Sequence, residues 1–176
     1  MYGFINTGVR QMLVEKFGLH AWEDILEEAG LPKDLVWEKY EYDDDDTALM
    51  KIVDAAAARL KGVETADVWI LFGAYFVQTY LKLHDMDKLL QIMGKDLRSF
   101  LYNLDYLHLH LSDTFKSASF PRFRLEDVPD GRGSFTLHYH STRGSLLAPL
   151  VQGLVSAVST ELFRTKVQID FERSES

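Results

Sequence analysis

Through the first two thirds of the chain, apolar side chains return every three or four positions, the spacing that lines one face of a helix. Phe4, Ile5, Val9, Met12, Leu13 and Phe17 form the first such series, and Gly18 closes it. A second, short helix is expected from residue 21 to about 29, ending at Gly30 with Pro32 beyond. The acidic stretch 43–46 reads as a turn whose last member, or Thr47, caps a helix reaching Leu60. Its carboxylates also suit that helix's positive end. No EF-hand pattern with its glycine and distant glutamate follows, so a solvated cap is expected there rather than a metal site.

From about Thr65 a helix is predicted through Trp69, Ile70, Phe72, Tyr75, Phe76 and Tyr80. It is apolar around most of its circumference, which calls for a deep place in the core. A short segment 86–93 and Gly94 separate it from a long helix over 96–115. After Pro121 the period changes to two: Phe123-Arg124-Leu125 begins a strand, Asp130-Gly131 marks a turn, and 134–141 alternates. A helix over about 146–163 and a strand over 166–171 follow. Helices first, strands later and one helix between strands predict an α+β fold, a helical N-terminal part with a C-terminal antiparallel sheet and a packed helix. No repeat, linker or low-complexity tract interrupts 1–176, so one domain is expected.

Composition narrows the function classes. A chain of 176 residues can bury roughly 70% of its unfolded surface in one core. The 19 basic and 27 acidic residues leave a net charge of −8. That argues against a nucleic-acid footprint, which needs a basic stripe, and against docking on an anionic membrane. No stretch nears the ~20 apolar residues of a membrane span, and the N-terminus lacks the pattern of a signal peptide. The absence of cysteine removes disulfides and thiolate catalysis. A cytoplasmic protein is the default expectation.

Two places carry candidate chemistry. In the helix over 96–115, His108 falls within the apolar series Leu97, Phe100, Leu101, Leu104, Leu107, Leu111 and Phe115, whereas His110 lies opposite with Ser99, Asn103 and Asp113. A buried imidazole needs a partner for its acceptor nitrogen, because an unpaired buried polar group costs ~1–3 kcal/mol. Iron is one such partner, and a lone histidine is a standard haem tether. A hydrogen bond within the core is the other reading. In the strand ending Tyr139-His140-Ser141-Thr142-Arg143, the odd positions Phe135, Leu137, Tyr139, Ser141 and Arg143 share one face. That face starts apolar and ends in three donors, one a planar guanidinium fork suited to carboxylates. The propionates of a haem match it. So does an acidic side chain of the protein itself.

Taken together these residues resemble the haem–nitric oxide/oxygen binding (H-NOX) family, which includes the haem domain of the soluble guanylate cyclase beta subunit. The likeness covers nearly the whole chain. It runs through Met1-Tyr2-Gly3-Phe4-Ile5-Asn6, Ala21-Trp22-Glu23-Asp24-Ile25, Tyr42-Asp43-Asp44, Phe72-Gly73, Asn103-Leu104-Asp105-Tyr106-Leu107-His108, Pro121-Arg122-Phe123 and the Tyr-x-Ser-x-Arg signature at 139–143. The resemblance implies a haem b enclosed between the helices and the sheet. It implies His108 as the proximal iron ligand, Tyr139, Ser141 and Arg143 on the propionates, and Pro121 bending the haem. It also implies a signal carried by weakening of the iron–histidine bond. Relatives have a further strand after the segment matching 166–171, so the final family strand is expected to be missing here.

The resemblance also bears on which gas binds. Family members that hold O₂ present a tyrosine from the helix after the signature; aligned on Gly153, that position here is Leu150. The other distal position, three after Gly73, is Phe76, and Phe4 and Ile5 add apolar wall. Tyr75 and Tyr80 are expected to point elsewhere. With no donor over the iron, nitric oxide and CO are the expected ligands and stable O₂ binding is not. Relatives pass the signal to a guanylate cyclase, a histidine kinase or a diguanylate cyclase, and no catalytic motif for any of these occurs in the chain. The expectation is therefore a sensor rather than an enzyme. An O₂-binding haem sensor and a haem-free protein–protein interaction domain are the alternatives. A haem enzyme would need a distal acid–base residue.

Overall fold

The computed structural model describes residues 2–43, 45–130 and 133–172. Helix α1 (Gly3–Phe17) ends where Gly18 takes φ 87°, a left-handed conformation that costs glycine little. Helix α2 (Leu19–Glu28) turns Trp22, Ile25 and Leu26 inward. Helix α3 (Thr47–Arg59) buries Leu49, Ile52, Val53 and three successive alanines, 55–57. Helix α4 (Thr65–Tyr75) opens on a reciprocal cap between Glu64 and Asp67 and buries Val68, Trp69, Phe72, Gly73 and Tyr75. These faces meet in one apolar core with Val9, Met12 and Leu13 of α1 at its centre.

A second core lies beyond α4. Helix α7 (Leu97–Thr114) begins with Asp96 and Ser99 capping one another and contributes Leu97, Phe100, Leu101 and Leu104. Phe123 of β1 (Arg122–Asp127) and Val155, Ala157 and Val158 of α8 (Ala148–Glu161) close it. Strand β1 pairs antiparallel with β2 (Phe135–His140), with Phe123 opposite Tyr139. Tyr139 packs on both cores and so stands at their junction.

Helices α4 and α8 hold the two halves together by crossing glycine on glycine. A side chain at Gly73 would meet the Leu150 carbonyl oxygen at 2.2 Å, and one at Gly153 would meet the Ile70 carbonyl oxygen at 2.0 Å. Neither position has room for a methyl group, and the close approach fixes where every neighbouring side chain lands.

The α+β expectation holds, with differences in detail. Residues 65–83 do not form one regular helix: α4 gives way to a π-helical turn (Phe76–Tyr80) and a last α-helical turn, α5 (Leu81–Leu83). The backbone N–H of Leu81 reaches back to the Phe76 carbonyl, a five-residue step that apolar periodicity does not encode. The segment 86–93 contains α6 (Asp87–Ile92). A 3₁₀ turn (Gly144–Leu147) precedes α8, whose start is Ala148. Residues 166–171 form no strand: Val167 and Ile169 alternate inward onto the second core, but among the described residues only β1 and β2 pair in a ladder. Asp46 is the N-cap residue of α3, as expected, but its side chain makes no cap hydrogen bond. Asp45, not Asp46 or Thr47, takes the free Thr47 N–H, at 2.8 Å, while the Asp46 carboxylate is drawn to Arg143. Met1, Asp44 and Gly131 lie outside the described residues. Among the described residues no helix is long and apolar enough to cross a membrane.

Candidate functional site

The site begins with the register of α7. Leu97, Phe100, Leu101 and Leu104 are buried, and burial fades beyond them, so that Leu107, His108 and Leu111 are half-buried and Phe115 is exposed. His110 faces water, as its position opposite the apolar stripe requires. The His108 ring lies against Phe123 at 5.4 Å and Phe120 at 6.0 Å between centroids. Its Nδ1 is 2.8 Å from the Leu104 carbonyl oxygen. A carbonyl can only accept, so Nδ1 carries the hydrogen and the lone pair of the neutral ring sits on Nε2. Burial pushes the His108 imidazolium toward deprotonation, which keeps that lone pair available.

Asp105, one turn before His108, ties α7 to β1. Its carboxylate accepts from Arg122 Nε and Nη2, each at 2.8 Å, and from the Phe123 N–H at 2.8 Å. The Arg122 guanidinium holds the Asp105 carboxyl below the usual carboxylate range. Pro121 is half-buried in the link between Phe120 and this anchored Arg122. The ring of Phe123 in turn contacts Tyr139 at 5.7 Å, so His108 and Tyr139 flank one phenylalanine.

The Tyr-x-Ser-x-Arg residues do converge, though not on a strand throughout. Strand β2 ends at His140, and Ser141 and Arg143 lie in the turn that follows. Ser141 Oγ accepts the Arg143 backbone N–H at 3.1 Å, and burial pushes the Tyr139 phenol above its usual range. The turn brings the Arg143 guanidinium against Asp46, Tyr42 and the Ser119 carbonyl. Sequence reasoning raised a protein carboxylate as an alternative partner for Arg143, and Asp46 is that carboxylate. Nothing in the local pattern could name it, because the two residues are 97 positions apart.

The proposed distal residues gather on the first core, on which Tyr139 also packs. Phe4 and Phe76 meet edge to face at 5.8 Å, and Ile5 and Leu150 pack on the same core. The glycine crossing explains the meeting, since the Leu150 backbone abuts Gly73, one helical turn before Phe76. Tyr80 corrects an expectation. It stacks on Phe76 at 5.7 Å and touches Phe4 at 4.8 Å, because positions four apart share a helix face. His84, which sequence reasoning missed, packs on Tyr80 at 4.5 Å and Phe4 at 5.4 Å.

The donor set fits a haem. Among the described residues no three acidic or histidine side chains gather to hold a bare ion. One imidazole with a directed lone pair suits a metal whose other ligands come from a macrocycle. A guanidinium already engaged with a carboxylate shows the affinity that a propionate would use.

The Haem-NO-binding family matches the chain over residues 2–171. The chain is 34% identical to soluble guanylate cyclase gcy-32 of Caenorhabditis elegans over 167 residues, which are 93% of this chain and 23% of that protein. It is 32% identical to soluble guanylate cyclase gcy-34 of the same organism, over 96% of this chain and 24% of that one. The chain thus spans about a quarter of the length of these relatives. Among solved structures it is similar to an H-NOX protein from S. oneidensis in the Fe(II)NO ligation state, with a TM-score of 0.78 and 25% identity, covering 98% of this chain and 91% of that one. It also shares its fold with an oxygen-binding H-NOX domain related to soluble guanylate cyclases, at a TM-score of 0.74 and 23% identity, covering 100% and 88%.

Proposed function

The chain belongs to the Haem-NO-binding (H-NOX) family, and from that premise we propose that it is a gas sensor that binds nitric oxide and CO, but not stable O₂, at a haem b held by His108. A bound ferrous haem would supply the gas-binding iron, with His108 as the residue that would hold it and whose hold nitric oxide would weaken. The chain's own residues do the rest. His108 offers Nε2 as the tether, while the Leu104 carbonyl holds the ring's tautomer and orientation. Tyr139, Ser141 and Arg143 orient the carboxylate edge, and Pro121 presses on the macrocycle from the link into β1. Helix α7 is the element that moves when its tether slackens. Its C-terminal half is only half-buried, so fewer apolar contacts hold it once that bond weakens. Such a shift follows only from a ligand's different affinity for the two states, and nitric oxide has that difference.

The observation that carries this reading is the His108 ring, with one nitrogen committed to the helix and the other free to ligate. Phe4, Ile5, Phe76 and Leu150 supply the apolar wall that leaves O₂ without a donor. The output would go to an effector such as a guanylate cyclase, a histidine kinase or a diguanylate cyclase. A guanylate cyclase accords with the relatives' names, and their description as soluble accords with a cytoplasmic location. Sensing, not catalysis, is the proposed role of this segment.

One observation favours the O₂-binding alternative. Lys39 Nζ donates to His84 Nδ1 at 2.8 Å, so Nε2 of this ring carries a hydrogen, and Nε2 is buried without a partner. Absorption spectra of the ferrous protein under nitric oxide, CO and air separate the two. A nitric oxide spectrum of an iron that has lost its histidine, with no lasting complex in air, supports the first reading. A stable complex in air replaces it with the second. A purified protein without a Soret band overturns both.

A further inference from the structure

Tyr80 places a phenol inside the aromatic cluster that the proposed function treats as purely apolar. Its ring lies on Phe76 and Phe4, yet among the described residues its hydroxyl bonds to Thr7 Oγ1 alone, at 2.7 Å. Thr7 is one turn after Gly3 on α1, and its own hydroxyl lies 2.8 Å from the Gly3 carbonyl and 3.2 Å from that of Phe4. Carbonyls only accept, so Thr7 gives its single hydrogen to the helix backbone. Tyr80 then donates in the Thr7–Tyr80 bond, the arrangement that leaves neither hydroxyl hydrogen unpaired. The phenol's only hydrogen is thereby turned away from the aromatic wall and toward α1.

Two features of the backbone maintain this arrangement. The π-helical turn Phe76–Tyr80 stacks the two rings, at an interplanar angle of 29°. Gly8, one residue after Thr7, lets α1 come within reach of the phenol: a side chain there would meet the Tyr80 ring and Phe72 at 3.2 Å. Burial adds to the effect by keeping the phenol protonated. A hydroxyl that is buried, protonated and singly bonded is a donor held in reserve by one partner.

We propose that Thr7 is a specificity-determining residue, which keeps the Tyr80 hydroxyl from donating to a gas ligand and so excludes O₂. The proposal rests on the haem reading above and deepens it, because there the distal wall has no donor by composition. Beside the His84 N–H, Tyr80 adds a phenol donor, and the Thr7 hydroxyl silences that phenol.

The test uses the ferrous protein and two readouts, the O₂ dissociation constant and the C–O stretching frequency of the CO complex. Thr7→Val keeps the side-chain shape and removes the acceptor. The expected results are a CO band moved to lower wavenumber and O₂ affinity raised about tenfold, the worth of one hydrogen bond. Thr7→Val combined with Tyr80→Phe returns both to the wild-type values, and Thr7→Ser leaves them unchanged. Tyr80→Phe alone provides an arm that keeps the Thr7 side chain: it leaves the CO band where it was, since the phenol does not reach the gas. A CO band that moves in Tyr80→Phe, or stays fixed in a folded, haem-replete Thr7→Val protein, overturns the proposal while the haem reading stands. A wild-type protein without haem overturns both, and one that holds O₂ in air overturns the proposal and the gas assignment while the haem stays.

Discussion

The imidazole of His108 donates Nδ1–H to the Leu104 carbonyl oxygen, one turn earlier on the same helix, across 2.8 Å. The bond selects one tautomer, and with it the atom that can bind a metal. It also locks the ring to α7, so that a pull on Nε2 is a pull on the helix. His108→Gly removes the tether while opening a space for free imidazole. The expected outcome is a protein that loses its Soret band or shifts it, and regains the wild-type spectrum when imidazole is added. Pigment that stays bound with unchanged colour, and no response to imidazole, would sink the assignment of His108.

Arg143 and Asp46 form an ion pair in which both side chains are largely buried, at 14% and 15% exposure. Arg143→Leu leaves Asp46 without its guanidinium and removes the donor proposed for the carboxylate edge of the haem. A charge-assisted hydrogen bond is worth ~1.5–3 kcal/mol, so haem should dissociate roughly ten- to a hundredfold faster. Transfer of haem to an excess of a haem-scavenging globin measures that rate. An unchanged rate would mean that Arg143 serves only Asp46.

The crossing of α4 and α8 leaves no space at either glycine. Gly153→Ala would set a methyl group 2.0 Å from the Ile70 carbonyl oxygen, and the helices must part to admit it. Overpacking of this kind costs ~1–3 kcal/mol, or several degrees of melting temperature in a chain of this length. Calorimetry of the haem-free and haem-bound proteins measures it. The same variant should shift the Leu150 backbone away from Gly73 and alter CO rebinding after photolysis. A melting temperature equal to that of the wild type would show that the glycines are not structural.

Asp105 gives a pH dependence with a definite sign. Its carboxyl is held below the ordinary range, first by Arg122 and then by the Phe123 N–H. The ionised form is therefore favoured by folding. The stability this adds is complete above the unfolded value of about 3.9 and is lost as the pH falls from there through the lower folded value. Asp105→Asn should be less stable than the wild type at neutral pH, and the gap should close on acidification below about pH 4. Denaturant titrations at a series of pH values give the comparison. A gap that does not change with pH would show that the role of Asp105 is shape rather than charge.

The local sequence was enough to determine where most elements lie and which way their faces turn. Gly18 and the Asp96–Ser99 cap mark helix ends with nearest-neighbour chemistry, and His108 and His110 separate by helical phase alone. Alternation placed Tyr139 inward on β2 for the same reason. These properties depend on bonds and angles within a few residues. What joins distant segments was decided by the tertiary structure. Asp46 keeps the cap position of α3 but turns its carboxylate to Arg143, because a largely buried guanidinium attracts a carboxylate more strongly than a solvated helix end does. Residues 166–171 kept their alternation but not their strand, since a ladder needs a neighbour and periodicity cannot supply one. The direction of the Tyr80 hydroxyl was likewise set by Thr7, 73 residues away, through a contact that exists only once α1 lies against the π turn.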